Sequence, residues 1–343
     1  MSDVKNRAKR AAEVLKKSGR SAVEKVPDAV KVIGEGGKSV ALKAKDTIFK
    51  AVDQDGNGTI DSNDLIIMAL KVPGVRIKRD EFLQKELFKH CPQDMIDKAI
   101  NSTPAKAGIE KALIDKIADD VIRFERNSVS GISMALGMPG GAAMAATIPA
   151  DIAQYYGYMV RAAQKMLYLY GFPAIYSKEE GLNLDSETLN SLTICLGVMY
   201  GVASANNAIK AMAKALAVGV EKQLMKKALT KGAIYPFVKA VAKWFGQKMT
   251  KEVFAGFFKK AIPVVGGVIG GGLTYATFKP CCNRLKGALM DTILSNPDHV
   301  ESEEEKRIFE DIQNGVIDVD AEDIIIIDSD TNDVEETDIN ETL

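Results

Sequence analysis

Residues 149–171, PADIAQYYGYMVRAAQKMLYLYG, decide the fold class. Ile152, Tyr155, Tyr156, Met159, Ala162, Ala163, Met166, Leu169 and Tyr170 recur at intervals of three and four, the spacing of one face of an α-helix. The helix is expected to run from Pro149 to Tyr170 and to stop at Gly171. Asp151, Gln154, Tyr158, Arg161 and Lys165 repeat at the same spacing on the opposite side. That second stripe is expected to be a solvated face, with a polar groove as the alternative.

Outward from this helix, residues 109–290 read as helical throughout, without strand alternation. The expected fold class is all-α. A large helical domain would occupy 105–295, preceded by a basic N-terminal arm over 1–37 and a small EF-hand-like module over 38–100. An acidic C-terminal tail over 298–343 would follow, largely disordered. Hydrophobic residues make up 46 % of the chain and aromatics only 6 %, which favours close helix packing over a large aromatic core.

Three uncharged segments, 127–150, 188–209 and 261–278, each approach the ~20 residues that cross a bilayer. Met138-Pro139-Gly140-Gly141 interrupts the first, and Asn190, Asn206 and Asn207 lie in the second. In the third, Gly266 and Gly267 each precede Gly270 and Gly271 by four, a spacing that lets helices approach closely in membranes or soluble cores. Buried helices of a soluble or peripheral domain are the expectation, and membrane insertion is the alternative.

Charge is distributed unevenly. The chain has 45 basic and 46 acidic side chains, but from Asp298 onward there are 18 acidic residues against Lys306 and Arg307. The tail therefore carries −16 and the body +15. A basic body seeks phosphate groups or its own tail. Residues 210–260 hold 12 lysines against Glu221 and Glu252, interleaved with Phe237, Val241, Trp244, Phe245, Phe254, Phe257 and Phe258. Lysine can lie along apolar surface and lift its ammonium to an interface, so an anionic membrane is the expected partner. Nucleic acid is not, because no Arg-rich recognition helix or RNA-binding aromatic motif is present.

Residues 53–64, DQDGNGTIDSND, follow the spacing of an EF-hand calcium loop. Asp53, Asp55 and Asn57 stand at positions 1, 3 and 5, Gly58 at the turn, Thr59 at the carbonyl position and Asp61 at position 9. Ile60 at position 8 would pin the loop through a short strand. Asp64 stands at position 12, where the usual residue is Glu; its shorter side chain predicts weaker Ca2+ binding and better Mg2+ competition. The competing reading is a metal-free run of Asx turns. EF-hands pair through their position-8 strands, and the expected partner is the segment 75–82, VRIKRDEF, which lacks ligands of its own. A second echo lies in the tail, at 308–320.

Other chemistry is sparse. Two histidines, His90 and His299, leave little for His-based catalysis, and no Walker loop, GxSxG or paired catalytic carboxylate stands out. Four cysteines without a CxxC pair, and no secretory pattern at the start, suggest a reduced cytoplasmic setting. Cys281 and Cys282 follow an apolar segment, where lipidation competes with simple burial. Ile324 to Ile327, flanked by Asp323 and Asp328, could add as a strand to a protein partner's sheet.

The stretch GISMALGMPGGAAMAATIPADIAQYYGYMVRAAQKMLYLYG, 131–171, resembles the EcsC family, and AIPVVGGVIGGGLTYATF, 261–278, is similar to that family's second hallmark. The likeness covers about 105–290. It implies a helical fold, a family named for a bacterial ABC exporter operon, and no assigned reaction, so it supplies no catalytic residue. Taken together, a calcium-binding, non-enzymatic protein with peripheral membrane contact is expected. The rivals are an enzyme using Asp151, Tyr158 and Arg161 with a structural calcium, and an adaptor acting through its acidic tail.

Overall fold

The computed structural model describes residues 49–137, 142–176, 185–259, 266–296 and 298–317. The basic arm, the Pro139 turn and everything after Ile317 lie outside these residues. Among the described residues the chain is helical, in the order α1 (Ser62–Lys71), α2 (Arg79–Leu87), α3 (Gln93–Asn101), α4 (Lys111–Gly137), α5 (Ala142–Leu169), α6 (Ser186–Tyr200), α7 (Ala203–Val218), α8 (Lys222–Lys231), α9 (Tyr235–Lys259), α10 (Gly266–Met290) and α11 (Glu303–Gln313). The all-α expectation holds.

The deciding helix is longer than expected. α5 starts at Ala142 and takes Pro149 into its interior. Its end is as expected: Gly171 adopts a φ of 94°, and the Phe172 N–H donates back to the Leu167 carbonyl at 2.9 Å. The apolar stripe is buried, from Ile152 through Met159, Ala162 and Met166 to Tyr170, with Tyr155 partly covered. The polar stripe departs from expectation, because Gln154 and Lys165 are buried, as is Gln164 beside them. α5 contacts α1, α2, α4, α6 and α10, so little of its circumference is left for water.

α6 lies at the centre and touches α1, α5, α7, α8, α9 and α10. It carries no charge after Glu187, which suits a helix enclosed on most sides. Gly197 sets the spacing to its neighbours: a Cβ there would lie 2.5 Å from Val241 Cγ2 and 3.0 Å from Ala205 Cβ. Gly197→Ala is therefore expected to cost about 1–3 kcal/mol by overpacking; a urea midpoint equal to wild type would show that α9 yields freely.

The few aromatics are concentrated rather than spread. Tyr156, Tyr200, Trp244 and Phe245 form a chain with centroid separations of 6.4, 5.8 and 5.1 Å, and the Tyr200 hydroxyl donates to that of Tyr156 at 3.1 Å. Phe237, Val241 and Phe245 point into the core, whereas Lys239 and Lys243 are exposed. This part of α9 is thus an amphipathic helix over a core, not an aromatic face for lipid. Cys281 and Cys282 are buried, and burial pushes the Cys281 thiol up to about 11. Among the described residues no helix is long and apolar enough to cross a membrane.

Two domain boundaries dissolve. α1, expected to belong to a separate module, buries Leu65, Ile66, Ala69 and Leu70 in the same core as α5 and α6. Gly157 allows this: a Cβ there would stand 3.1 Å from Val75 Cγ2, so the turn after α1 lies directly on α5. The acidic tail, expected from 298, instead begins with a packed helix. Ser302 and Glu305 form a capping box at the start of α11, and Ile308, Phe309 and Ile312 are buried where α11 meets α7 and α8. Lys214 pairs with Glu301 at 2.6 Å and lies over the Phe309 ring. The shielded imidazole of His299 sits 3.0 Å from both Asp291 Oδ1 and Glu305 Oε1.

Candidate metal centre

A helical turn at 49–52 leads into the loop, the Asp53 N–H still donating to the Phe49 carbonyl at 2.9 Å. Val52 just before the loop and Ile60 within it are buried, so the loop is pinned to the core at two points. Between them, Gly56 and Gly58 take φ values of 71° and 80°, a conformation that costs glycine nothing. These turns fold the loop back on itself.

Asp53, Asp55 and Asp64 converge, each offering a carboxylate oxygen within 4.8 Å of the others. Asp53 accepts from the amides of Gly56 at 2.8 Å and Gly58 at 3.0 Å. Asp55 accepts from the Asn57 amide at 3.1 Å, and Asn57 Oδ1 from the Thr59 amide at 2.7 Å and hydroxyl at 2.6 Å. These are Asx-type bonds, and alone they would describe a chain of turns. Asp64 is different: from the first turn of α1 it reaches back to accept from the Gln54 amide at 2.6 Å and from the Asp61 N-cap amide at 2.9 Å. It closes the loop. Asp61 stands apart from the triad, its Oδ1 capping α1 through the Asn63 amide at 2.7 Å.

The arrangement fits a hard cation. Three like charges are held together, and among the described residues none of Asp53, Asp55, Asp61 or Asp64 forms an ion pair with Lys or Arg. Lys71, the basic residue at the end of α1, instead donates to Gln54 Oε1. Each carboxylate has about four lone-pair sites, so the amide bonds leave capacity for a metal. Asp53, Asp55 and Asp64 would hold the ion. Asn57 and the Thr59 carbonyl flank them in the same loop, and Asp61 would reach it through water at most.

Desolvation is the first cause that holds the Asp64 carboxyl above the ordinary carboxylate range, with the negative charges of Asp61 and Asp55 adding to it. Burial raises Asp61 likewise. A carboxyl with a raised folded pKa contributes stability below its unfolded value that is lost as pH rises through the folded one. The ion-free protein is therefore expected to gain stability on mild acidification. Saturating Ca2+ should reverse that slope, because protons then compete with metal. Thermal melts across the acid range, with calcium or with chelator, check the crossing of the two trends.

The expected partner strand is not formed. Among the described residues, 75–82 contain no strand, and the bridge with both partners described joins Gly232 to Ile317. Side chains of α5 take the polar groups of 75–77 instead: Gln164 Oε1 accepts from the Ile77 amide at 2.8 Å, Gln164 Nε2 donates to the Val75 carbonyl at 3.1 Å, and Tyr168 donates to the Ile77 carbonyl at 3.1 Å. The described part of the tail echo, 308–317, runs through α11 to that bridge, far in sequence from Ile60.

The polar stripe of α5 does not converge on one groove. Asp151 accepts from buried Ser133 at 2.8 Å. Arg161 and Lys165 both bind Glu125, which is fully buried on α4, and Arg161 also donates to the Gly74 carbonyl. No local spacing in the sequence pointed to Glu125, because its partners lie 36 and 40 residues away. No family model, no curated protein and no solved structure matches this chain.

Proposed function

We propose that this is a calcium-binding, non-enzymatic protein that associates peripherally with anionic membranes. The observation that carries the metal reading is the convergence of Asp53, Asp55 and Asp64 without a compensating cation. The EcsC resemblance of 105–290 belongs to the same proposal and adds a helical body without an assigned reaction. Support for the membrane side is the row of exposed lysines at Lys222, Lys226, Lys231, Lys239 and Lys243, not the aromatics between them.

Asp64 lacks the reach of the usual position-12 glutamate, so binding belongs in roughly the 10⁻⁵–10⁻³ M range, with magnesium as a competitor. Titration calorimetry on wild type and Asp53→Ala tests the site. Asp53 is the better choice for mutation because Asp64 also holds the loop to α1. Calcium heat in wild type and none in the variant is expected; equal heats in both would remove the site. Flotation with anionic vesicles, with and without calcium, tests the membrane contact separately, and failure to float in either condition would sink it.

A further inference from the structure

The described chain ends at a particular place. Ile317 pairs antiparallel with Gly232, the first residue after α8. The fit is close: a Cβ on Gly232 would lie 2.7 Å from the Val316 carbonyl oxygen, and one on Gly315 would lie 3.4 Å from Lys227 Nζ. The bridge is antiparallel, so the chain direction at Ile317 points toward Lys231, the residue before Gly232.

That corner is unusually basic. From 222 to 243 the chain has Lys222, Lys226, Lys227, Lys231, Lys239 and Lys243 and no acidic residue. All but Lys227 are exposed, and among the described residues none of the six forms an ion pair. Lysines nearby do find partners, Lys210 with Asp291 and Lys214 with Glu301, both at 2.6 Å. The segment 318–343, which starts at this corner, has 11 acidic residues and no basic one.

We propose that the lysine face of α8 and the start of α9 is a docking surface for the chain's own residues 318–343. These residues reach up to about 85 Å when extended, against ~15 Å for the length of α8. Each exposed ion pair is weak. Tethering at Ile317 nevertheless keeps the acidic segment at a high effective concentration beside the lysines, and salt weakens the contact. An anionic surface that used the same lysines would first displace this segment. The contact requires neither calcium nor lipid.

Full-length protein treated with a carbodiimide tests it, since this reagent joins a carboxylate to a lysine only where the two touch. Light and heavy-isotope protein are mixed beforehand, and the monomer fraction is mapped by mass spectrometry. Links from residues 318–341 are expected to concentrate on Lys222, Lys226, Lys231 and Lys239, within one molecule. They should fall several-fold at ~1 M salt, where the Debye length is about 3 Å. Links chiefly to the lysines of 1–48, or between light and heavy copies, would overturn the proposal. A second readout uses a full-length variant carrying Asp328→Asn, Asp330→Asn, Asp333→Asn, Glu335→Gln and Glu336→Gln. Acetylation of the same four lysines should speed up several-fold in it, and unchanged rates would overturn the proposal. Neither assay contains lipid, so a negative result rejects the contact and leaves the membrane reading to flotation.

Discussion

Glu125→Gln is expected to lower the free energy of unfolding by about 3–5 kcal/mol, because it strips the paired carboxylate from a buried charge cluster. The substitution preserves volume, so packing changes little. What it removes is the partner of Arg161, at 3.1 Å, and of Lys165. Desolvation already holds the Lys165 ammonium below its ordinary pKa, and the Glu125 charge is the first influence opposing that shift. Without it the ammonium is buried beside the Arg161 guanidinium, with only the weaker influence of Glu86 opposing the shift. A lysine depressed in the folded state makes stability rise with pH, from its folded pKa up to the ordinary ~10.4. That alkaline rise should steepen in the variant. Urea unfolding at neutral and alkaline pH checks both effects, and Glu125→Gln combined with Lys165→Met should recover part of the loss. Equal urea midpoints for wild type and the single variant would mean that water reaches the cluster.

Arg79→Met should be of similar size, for a different reason. The Arg79 guanidinium is buried at the start of α2 and donates to four carbonyls: Phe172 at 3.1 Å, Ile100 at 2.6 Å, Ala99 at 3.2 Å and Ser102 at 2.8 Å. Three of these belong to the C-terminal end of α3, where helical carbonyls have no partner of their own. Each buried carbonyl left without a donor costs roughly 1–3 kcal/mol, and the side chain also places a cation at the negative end of α3. A loss of several kcal/mol follows. Lysine in its place should restore little, since a point charge cannot serve four acceptors spread around a planar fork. Hydrogen exchange would locate the damage in α3 and at Phe172; uniform loss of protection would point to global rather than local disruption.

Much of the fold was legible because helical periodicity is a local property. The stripe from Ile152 to Tyr170 needed only its own spacing to be recognised. The polar stripe beside it was misread as solvated for the same reason. Arg161 and Lys165 look like surface residues until Glu125 is brought to them, and Gln164 looks like one until the backbone of 75–77 is laid against it. Spacing within one helix carries no information about partners 36 to 89 residues away. The loop that brings Asp53, Asp55 and Asp64 together was legible because all three lie within residues 53–64. Its missing partner strand was not, since pairing depends on whether Ile77 and Val75 have a better bonding partner, and Gln164 supplies one. The tail boundary failed through charge: a run of glutamates reads as solvated, while the capping box and the buried Ile308, Phe309 and Ile312 make that run one face of a packed helix.

The burial of α1 in the main core has a thermodynamic consequence. A loop on an independent module would melt by itself, and its ion would protect only that module. Here the helix bearing Asp64 also carries Leu65, Ile66 and Ala69 into contact with α5 and α6. An ion held at Asp53, Asp55 and Asp64 would therefore stabilise the central layer together with the loop. At 100 times the dissociation constant that linkage is worth about 2.7 kcal/mol. It would be shared by every element that unfolds together with α1, so that occupancy of a twelve-residue loop sets the melting temperature of the whole helical body.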